Sequence, residues 1–248
     1  MFKKVKKHLQ NGTFLQTSFQ YLRKKATYTP GFHDTGFHGD RHLIKVFDTI
    51  ISDCSVFVET GSSIGTTLSY VAKKYPEKDC YSCEPDKEAF NEAKKNTKGL
   101  KNVFIFNETS DEFLERIEEQ HSHIFSKKTL FWLDAHSNGF EWPLKNEIKF
   151  ISSNFQNPKI LIDDFKVPGK PNFGFDKYDG QECSFEYIKN SIKRDVCTLV
   201  YPNHNERTSD FHPLRGWGLL LFNQNDVGDL SEKDLDNATQ IHEITLKD

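Results

Sequence analysis

VFVETGSSIGTTLSYVAKKY, residues 56–75, is the stretch on which the fold turns. Val56, Phe57 and Val58 make an apolar run that ends abruptly in an acid, Glu59. Gly61-Ser62-Ser63-Ile64-Gly65 follows, and an amphipathic pattern predicts a helix over 64–75. Strand, glycine turn and helix in that order open a doubly wound α/β sheet. The glycines allow a tight turn and let a ligand come close to the amino end of the helix.

The same alternation continues on the carboxyl side. Short apolar runs predict strands at 80–84 (CYSCE), 102–107 (NVFIFN), 129–134 (TLFWLD), 159–164 (KILIDD), 196–201 (VCTLVY) and 216–223 (GWGLLLFN). Nearly continuous apolar runs mark strands covered on both faces. Amphipathic segments near 86–97, 110–120, 141–153 and 182–192 fall between them. The fold class is therefore α/β, a doubly wound, seven-stranded, mostly parallel Rossmann-like sheet. No helix separates VCTLVY from GWGLLLFN, so the last strand is expected to return antiparallel.

On the amino side, RHLIKVFDTII (41–51) predicts a helix with Asp40 as its N-cap. MFKKVKKHLQ sets Phe2, Val5 and Leu9 at helical spacing among lysines. A solvated helix face is the preferred reading there, and a membrane-surface helix the alternative. TPGFHDTGFHGD (29–40) is a loop in which His33, Asp34 and His38 are candidate metal ligands, with a lid over the cleft the preferred reading. The chain thus divides into a helical extension with a lid loop, 1–40, and one α/β domain, 41–248.

Composition excludes several classes. Hydrophobic residues make up 36% and charged residues 28% of 248, the balance of a globular chain. The apolar runs are far shorter than a membrane span needs. Lysines interrupt the amino end where a signal peptide would need an apolar core, so a cytoplasmic location is expected. A net charge of −3 argues against nucleic acid as a partner. Five scattered cysteines do not suggest a disulfide framework, and Cys80-x-x-Cys83 reads as two strand thiols.

In a doubly wound sheet the carboxyl ends of the parallel strands open on one crevice. Glu84, at the end of the second strand, stands where a carboxylate can accept the hydroxyls of a ribose; a helix N-terminal acid is the structural alternative. Asp134, Asp163 and Asp164 end the fourth and fifth strands and are expected to converge. Three bare carboxylates repel, and the usual remedy is a divalent cation with oxygen ligands, Mg²⁺ by default. Helix capping by Asp134, and a buried carbonyl as the partner of His136, are the structural alternatives.

E-x-G-x-x-x-G (59–65) after the first strand, with an acid after the second, resembles the class I S-adenosylmethionine-dependent methyltransferases over roughly residues 40–223. The resemblance implies that Gly61, Ser63 and Gly65 flank the methionine part of the cofactor, that Glu59 lies near its amino group, and that Glu84 holds the ribose hydroxyls. Ser110, in NETSDEF after the third strand, falls where the family contacts adenine. An acid after strand four and an acidic pair after strand five are similar to the metal-dependent O-methyltransferases of the macrocin type, which act on sugar hydroxyls. That resemblance implies Mg²⁺ on Asp134, Asp163 and Asp164 and His136 as general base; catechol-type relatives use a lysine, for which Lys145 is a distant alternative.

The expected function is metal-dependent O-methylation of a hydroxyl on a sugar or other small polar metabolite, an anionic one included. The alternatives are a cephalosporin hydroxylase-like or cofactor-binding protein of the same fold, and a metal-independent methyltransferase of another acceptor. Loops 165–188 and 201–218 form the expected substrate side, with Phe173, Phe175 and Tyr178 as stacking surfaces. Lys166, Lys170, Lys177, His204, Arg207, His212 and Arg215 are the residues there that suit an anionic group. Assembly as a homo-oligomer is left open.

Overall fold

Every residue of the first strand, β1 (Val56–Thr60), is buried, and so is every residue of β4 (Thr129–Leu133) and β5 (Pro158–Ile162). Side chains alternate between the faces of a strand, so continuous burial requires packing on both sides. Leu130 and Trp132 of β4 enter one core with Phe57, Leu161 and Leu219, whereas Phe131 and Leu133 enter the other with Val58, Ile160 and Ile162. The computed structural model describes residues 36–136, 141–210, 212–231 and 239–246.

In chain order the elements are α1 (Arg41–Ile50), β1, α2 (Thr66–Lys74), β2 (Asp79–Cys83), α3 (Lys87–Asn96), β3 (Val103–Phe106), α4 (Ser110–His121), β4, α5 (Leu144–Asn154) and β5. A small hairpin of β6 (Lys177–Tyr178) and β7 (Gln181–Glu182) follows, then α6 (Phe185–Ile188), β8 (Val196–Pro202), β9 (Gly218–Leu221), α7 (Gln224–Ser231) and β10 (Thr239–Thr245). The main sheet runs β10-β8-β9-β5-β4-β1-β2-β3. β3, β2, β1, β4 and β5 are mutually parallel. β9 lies antiparallel to both β5 and β8, the expected return.

The sheet has eight strands rather than the expected seven. The addition, β10, pairs antiparallel with β8 at the sheet edge. Its sequence, TQIHEIT, alternates polar with apolar residues and lacks the continuous apolar run by which the central strands were recognised. The helix expected over 182–192 is shorter than predicted, reduced to α6 and a 3-10 turn at Lys189–Ser191. Asp40 does cap α1, accepting from the amides of His42 and Leu43 at 2.9 Å. The helix expected around Phe2, Val5 and Leu9 lies outside the described residues, as do His33 and Asp34.

All five cysteines are buried free thiols. Cys80 and Cys83 belong to opposite cores, since three residues along a strand reverse the side-chain direction. Among the described residues no helix is long and apolar enough to cross a membrane.

Candidate active site

The parallel ladder sets the first distances of the site. Thr60 pairs with Leu133, and Leu133 with Ile162. The ladder then runs one step past the strands: the Asp134 amide donates to the Thr60 carbonyl and the Asp163 amide to the Leu133 carbonyl, each at 3.0 Å. Asp134 and Asp163 therefore sit side by side at the carboxyl end of the sheet. Gly61 is next in line with Asp134, at φ 81°, and a Cβ there would stand 2.6 Å from the Asp134 carbonyl oxygen. Only glycine permits that approach. Gly65, at φ 77°, closes the turn as the N-cap of α2.

Asp164 continues differently. One residue further along an extended chain, a side chain points to the opposite face. Asp164 also takes a left-handed backbone, φ 49°. The Arg215 Nε donates to its carboxylate, while the Arg215 Nη2 donates to Asp176. Burial and the neighbouring Asp163 push Asp164 up to about 7 against the pull of Arg215. Asp134 and Asp163 thus line one crevice, while Asp164 turns to Arg215 and the three do not form one group. Ligand atoms within 4.8 Å of one another fall, among the described residues, into His38–Asp134–Asp163 and His136–Asp164–Asp176.

His136 joins the two groups. Its Nε2 lies 3.1 Å from Asp134 Oδ1. Its Nδ1 lies 2.6 Å from Asp176 Oδ2 and 2.8 Å from the Tyr178 hydroxyl. Burial alone would depress the imidazole, but the bonds to Asp134 and Asp176 outweigh it and hold it up at about 11. His136 is therefore an imidazolium at neutral pH in this arrangement. Asp176, although buried, is held well below the ordinary carboxylate range by His136, Tyr178 and Arg215. His38 reaches in from the amino side, its Nε2 3.0 Å from Asp163 Oδ2. Burial would lower it too, but Asp163 raises it to about 9. Four carboxylates thus share three cationic groups.

The glycine turn builds the other half of the crevice. The Gly61 and Ser62 amides both donate to the Cys83 carbonyl, tying the turn to the end of β2. Glu84 follows there, and its carboxylate accepts from the Ser63 amide at 2.7 Å and the Asp86 amide at 2.9 Å. Ser63 itself is left-handed, φ 50°. Glu59 is buried, bonded by the Ser82 hydroxyl at 2.7 Å. Burial raises it to about 8 despite that bond, with Asp134 and Glu84 adding to the rise. Ser110 is buried at the start of α4 and its hydroxyl donates to Glu147. Burial pushes Glu147 up to about 7.

A cleft of about 270 Å³, counting its open mouth, lies between these groups and is lined by Asp134, His136, Trp142, Glu147, Asp163, Asp176 and apolar neighbours. Its wall differs from the expected one. Phe173 is buried in the core, and the Tyr178 hydroxyl, bonded to His136 and Asp176, supports the imidazole. Lys166 and Lys177 pair with Glu182, and Lys170 donates to Asn203 and Asn205. Arg207 donates to the His212 and Asp210 carbonyls. Lys145 Nζ lies over the Tyr187 ring at 4.1 Å. Asp176, Glu147 and the inward role of Arg215 were missed from the sequence. Asp176 sits in an irregular loop, where no periodicity marks it.

No protein-family model and no curated protein matches the sequence. Solved structures do. An O-methyltransferase from Bacillus cereus in complex with SAH aligns over 84% of this chain and 91% of its own, at 12% identity and a TM-score of 0.54. A putative O-methyltransferase from Klebsiella pneumoniae aligns over 82% and 95%, at 14% identity and 0.49. The plantazolicin methyltransferase BpumL in complex with SAH aligns over 98% of each chain, at 12% identity and 0.49. At such identities the likeness speaks to the fold: with its strand order and antiparallel β9, the chain has the α/β Rossmann-like fold that it shares with the Bacillus cereus protein.

Proposed function

We propose that this chain is an S-adenosylmethionine-dependent methyltransferase that methylates a hydroxyl of a small polar acceptor, a sugar being the first candidate, with the help of a divalent cation. The observation that supports the reading is the ladder that sets the glycine turn against Asp134 and Asp134 beside Asp163, so that the turn adjoins a carboxylate-lined cleft.

The residues present fit the cofactor. Gly61 lets the turn lie flat against the Asp134–Ala135 backbone, Glu84 stands at the end of β2 beside the turn, and the buried Glu59 suits an ammonium, which would offset the cost of ionising it. Ser110, whose hydroxyl bonds the buried Glu147, is the residue offered for the adenine side. When bound, the cofactor supplies an electrophilic methyl group, and a cation would lower the pKa of an acceptor hydroxyl. Asp134 and Asp163 would hold that cation. Asp176 and Tyr178 fix the His136 ring with Nε2 toward Asp134 and the cleft, the arrangement of a positioned acid–base group. In this arrangement His136 is the protonated, acid form; a cation on Asp134 would weaken that carboxylate's support of the imidazolium, and the ring could take a proton from the acceptor only after its own Nε2 proton had been lost to solvent. Holding acceptor and cofactor in this geometry supplies much of the remaining rate.

Thermal melting with S-adenosylhomocysteine, with and without divalent cation, tests both halves. A rise in melting temperature with each is expected, followed by transfer of labelled methyl to a member of a panel of sugars. Absence of any shift with the nucleoside defeats the transferase reading. A metal-independent transferase is the second reading, favoured by the ion pairs of Arg215, His136 and His38, which already give the four carboxylates partners. Full turnover in EDTA would decide for it.

A further inference from the structure

We infer that a cation at this site is held by His38, Asp134 and Asp163, with Asp164 outside its coordination sphere. This rests on the metal-assisted reading above and names its ligands.

The three donors come from separate parts of the chain and meet within 4.8 Å of one another. His38 Nε2 and Asp163 Oδ2 are 3.0 Å apart, the spacing of neighbouring ligands around an ion about 2.1 Å from each. Asp134 and Asp163 are fixed by the β1–β4–β5 ladder. His38 is fixed by an unusual turn: Gly36, Phe37, His38 and Gly39 have φ of 57°, 45°, 53° and 70°. Left-handed backbone costs roughly 1–2 kcal/mol at each non-glycine residue, and it persists only where contacts impose it. Those contacts are present. The Phe37 amide donates to the Thr67 hydroxyl at 3.1 Å, and its buried ring packs on Phe47 and Trp132. The Ser209 hydroxyl donates to the His38 carbonyl at 2.6 Å. Asp164, by contrast, belongs to the group of His136 and Asp176, and Arg215 clamps it to Asp176.

One imidazole and two carboxylates form a mixed donor set. Mg²⁺ prefers oxygen ligands, whereas Mn²⁺, Fe²⁺ and Zn²⁺ accept imidazole readily. The site therefore favours a first-row transition ion over Mg²⁺.

The test is Mn²⁺ titration of the full chain by calorimetry, with electron spin echo spectroscopy of the bound ion. His38→Ala is expected to weaken Mn²⁺ at least about tenfold and to remove the nitrogen modulation. Asp164→Asn is expected to keep affinity within about threefold, and His136→Gln to keep the modulation. Circular dichroism confirms that each variant is folded. Loss of binding in Asp164→Asn, with affinity and nitrogen modulation retained in His38→Ala, overturns the assignment while leaving a metal enzyme. No Mn²⁺ binding by the unaltered chain overturns the metal reading itself, and the assignment with it.

Discussion

Gly61 shows how much one residue position carries. It stands in left-handed backbone with no room for a side chain against the Asp134 carbonyl, at the junction of the glycine turn and the cleft. Gly61→Ala is expected to cost at least about 2 kcal/mol and to abolish the melting shift with S-adenosylhomocysteine, as read by thermal denaturation with and without the nucleoside. His42 gives a second residue-scale expectation. It is buried between His204 and Trp217, and neither ring nitrogen has a hydrogen-bond partner among the described residues. Burial, with His204 adding to it, depresses His42 from 6.5 to about 4. A histidine lowered on folding binds fewer protons folded than unfolded. Its contribution is therefore complete above about 6.5 and is lost as pH falls toward 4, on the order of 3 kcal/mol in all. Urea unfolding across that range should show the wild type losing stability relative to His42→Leu; parallel curves would refute the assignment.

At the level of elements, the parts legible in the sequence are those with a period or a terminus. β1, β4 and β5 announce themselves as continuous apolar runs because both faces are covered. Asp134 and Asp163 are legible because they end such runs. Asp164 was grouped with them because sequence adjacency does not reveal that the chain turns left-handed there and hands the carboxylate to Arg215. Asp176 and Arg215 lie in irregular segments and Tyr178 in a two-residue strand; the sequence marked Tyr178 and Arg215 only for the substrate side, because their bonds to Asp176, His136 and Asp164 exist only in the folded molecule. β10 escaped because an edge strand needs only alternation. The N-cap of α1 was legible from Asp40 alone, and it bears on the site because the cap directly follows the Gly36–Gly39 turn. Asp40→Ala is expected to cost about 1 kcal/mol by urea denaturation. It should also weaken Mn²⁺ binding by more than a substitution elsewhere on α1 of equal cost, such as Thr49→Ala, because His38 loses its anchored neighbour. Equal effects of the two would show that the cap is only structural.

Over the whole molecule, two poles of the sheet divide stability from function. The carboxyl pole holds the crevice, where the segments around His38, Asp176 and His212 meet: Arg41 donates its amide to the Thr208 carbonyl, and the His38 ring stacks on His212 at 4.4 Å. The opposite pole holds Lys159, at the start of β5 and 2% exposed. Its Nζ lies 2.7 Å from Asp53 and 3.1 Å from Asp226, and donates to the Ile50 carbonyl at 3.0 Å. One ammonium thus ties β5 to the end of α1 and to α7. Removing it leaves the buried Asp226 uncompensated, and breaking such a pair costs about 3–5 kcal/mol. Lys159→Ala is expected to lose that much by urea denaturation. Replacing both partners, Lys159→Met with Asp226→Leu, should recover most of it, because an apolar pair carries no desolvation penalty. In either folded variant the affinity for S-adenosylhomocysteine should stay within about threefold of wild type, since the length of β5 sets Lys159 roughly 13 Å from Asp163 and distant changes add independently. A large loss of affinity in the stable double variant would mean that the opposite pole is coupled to the site through β5, whose last residue delivers Asp163.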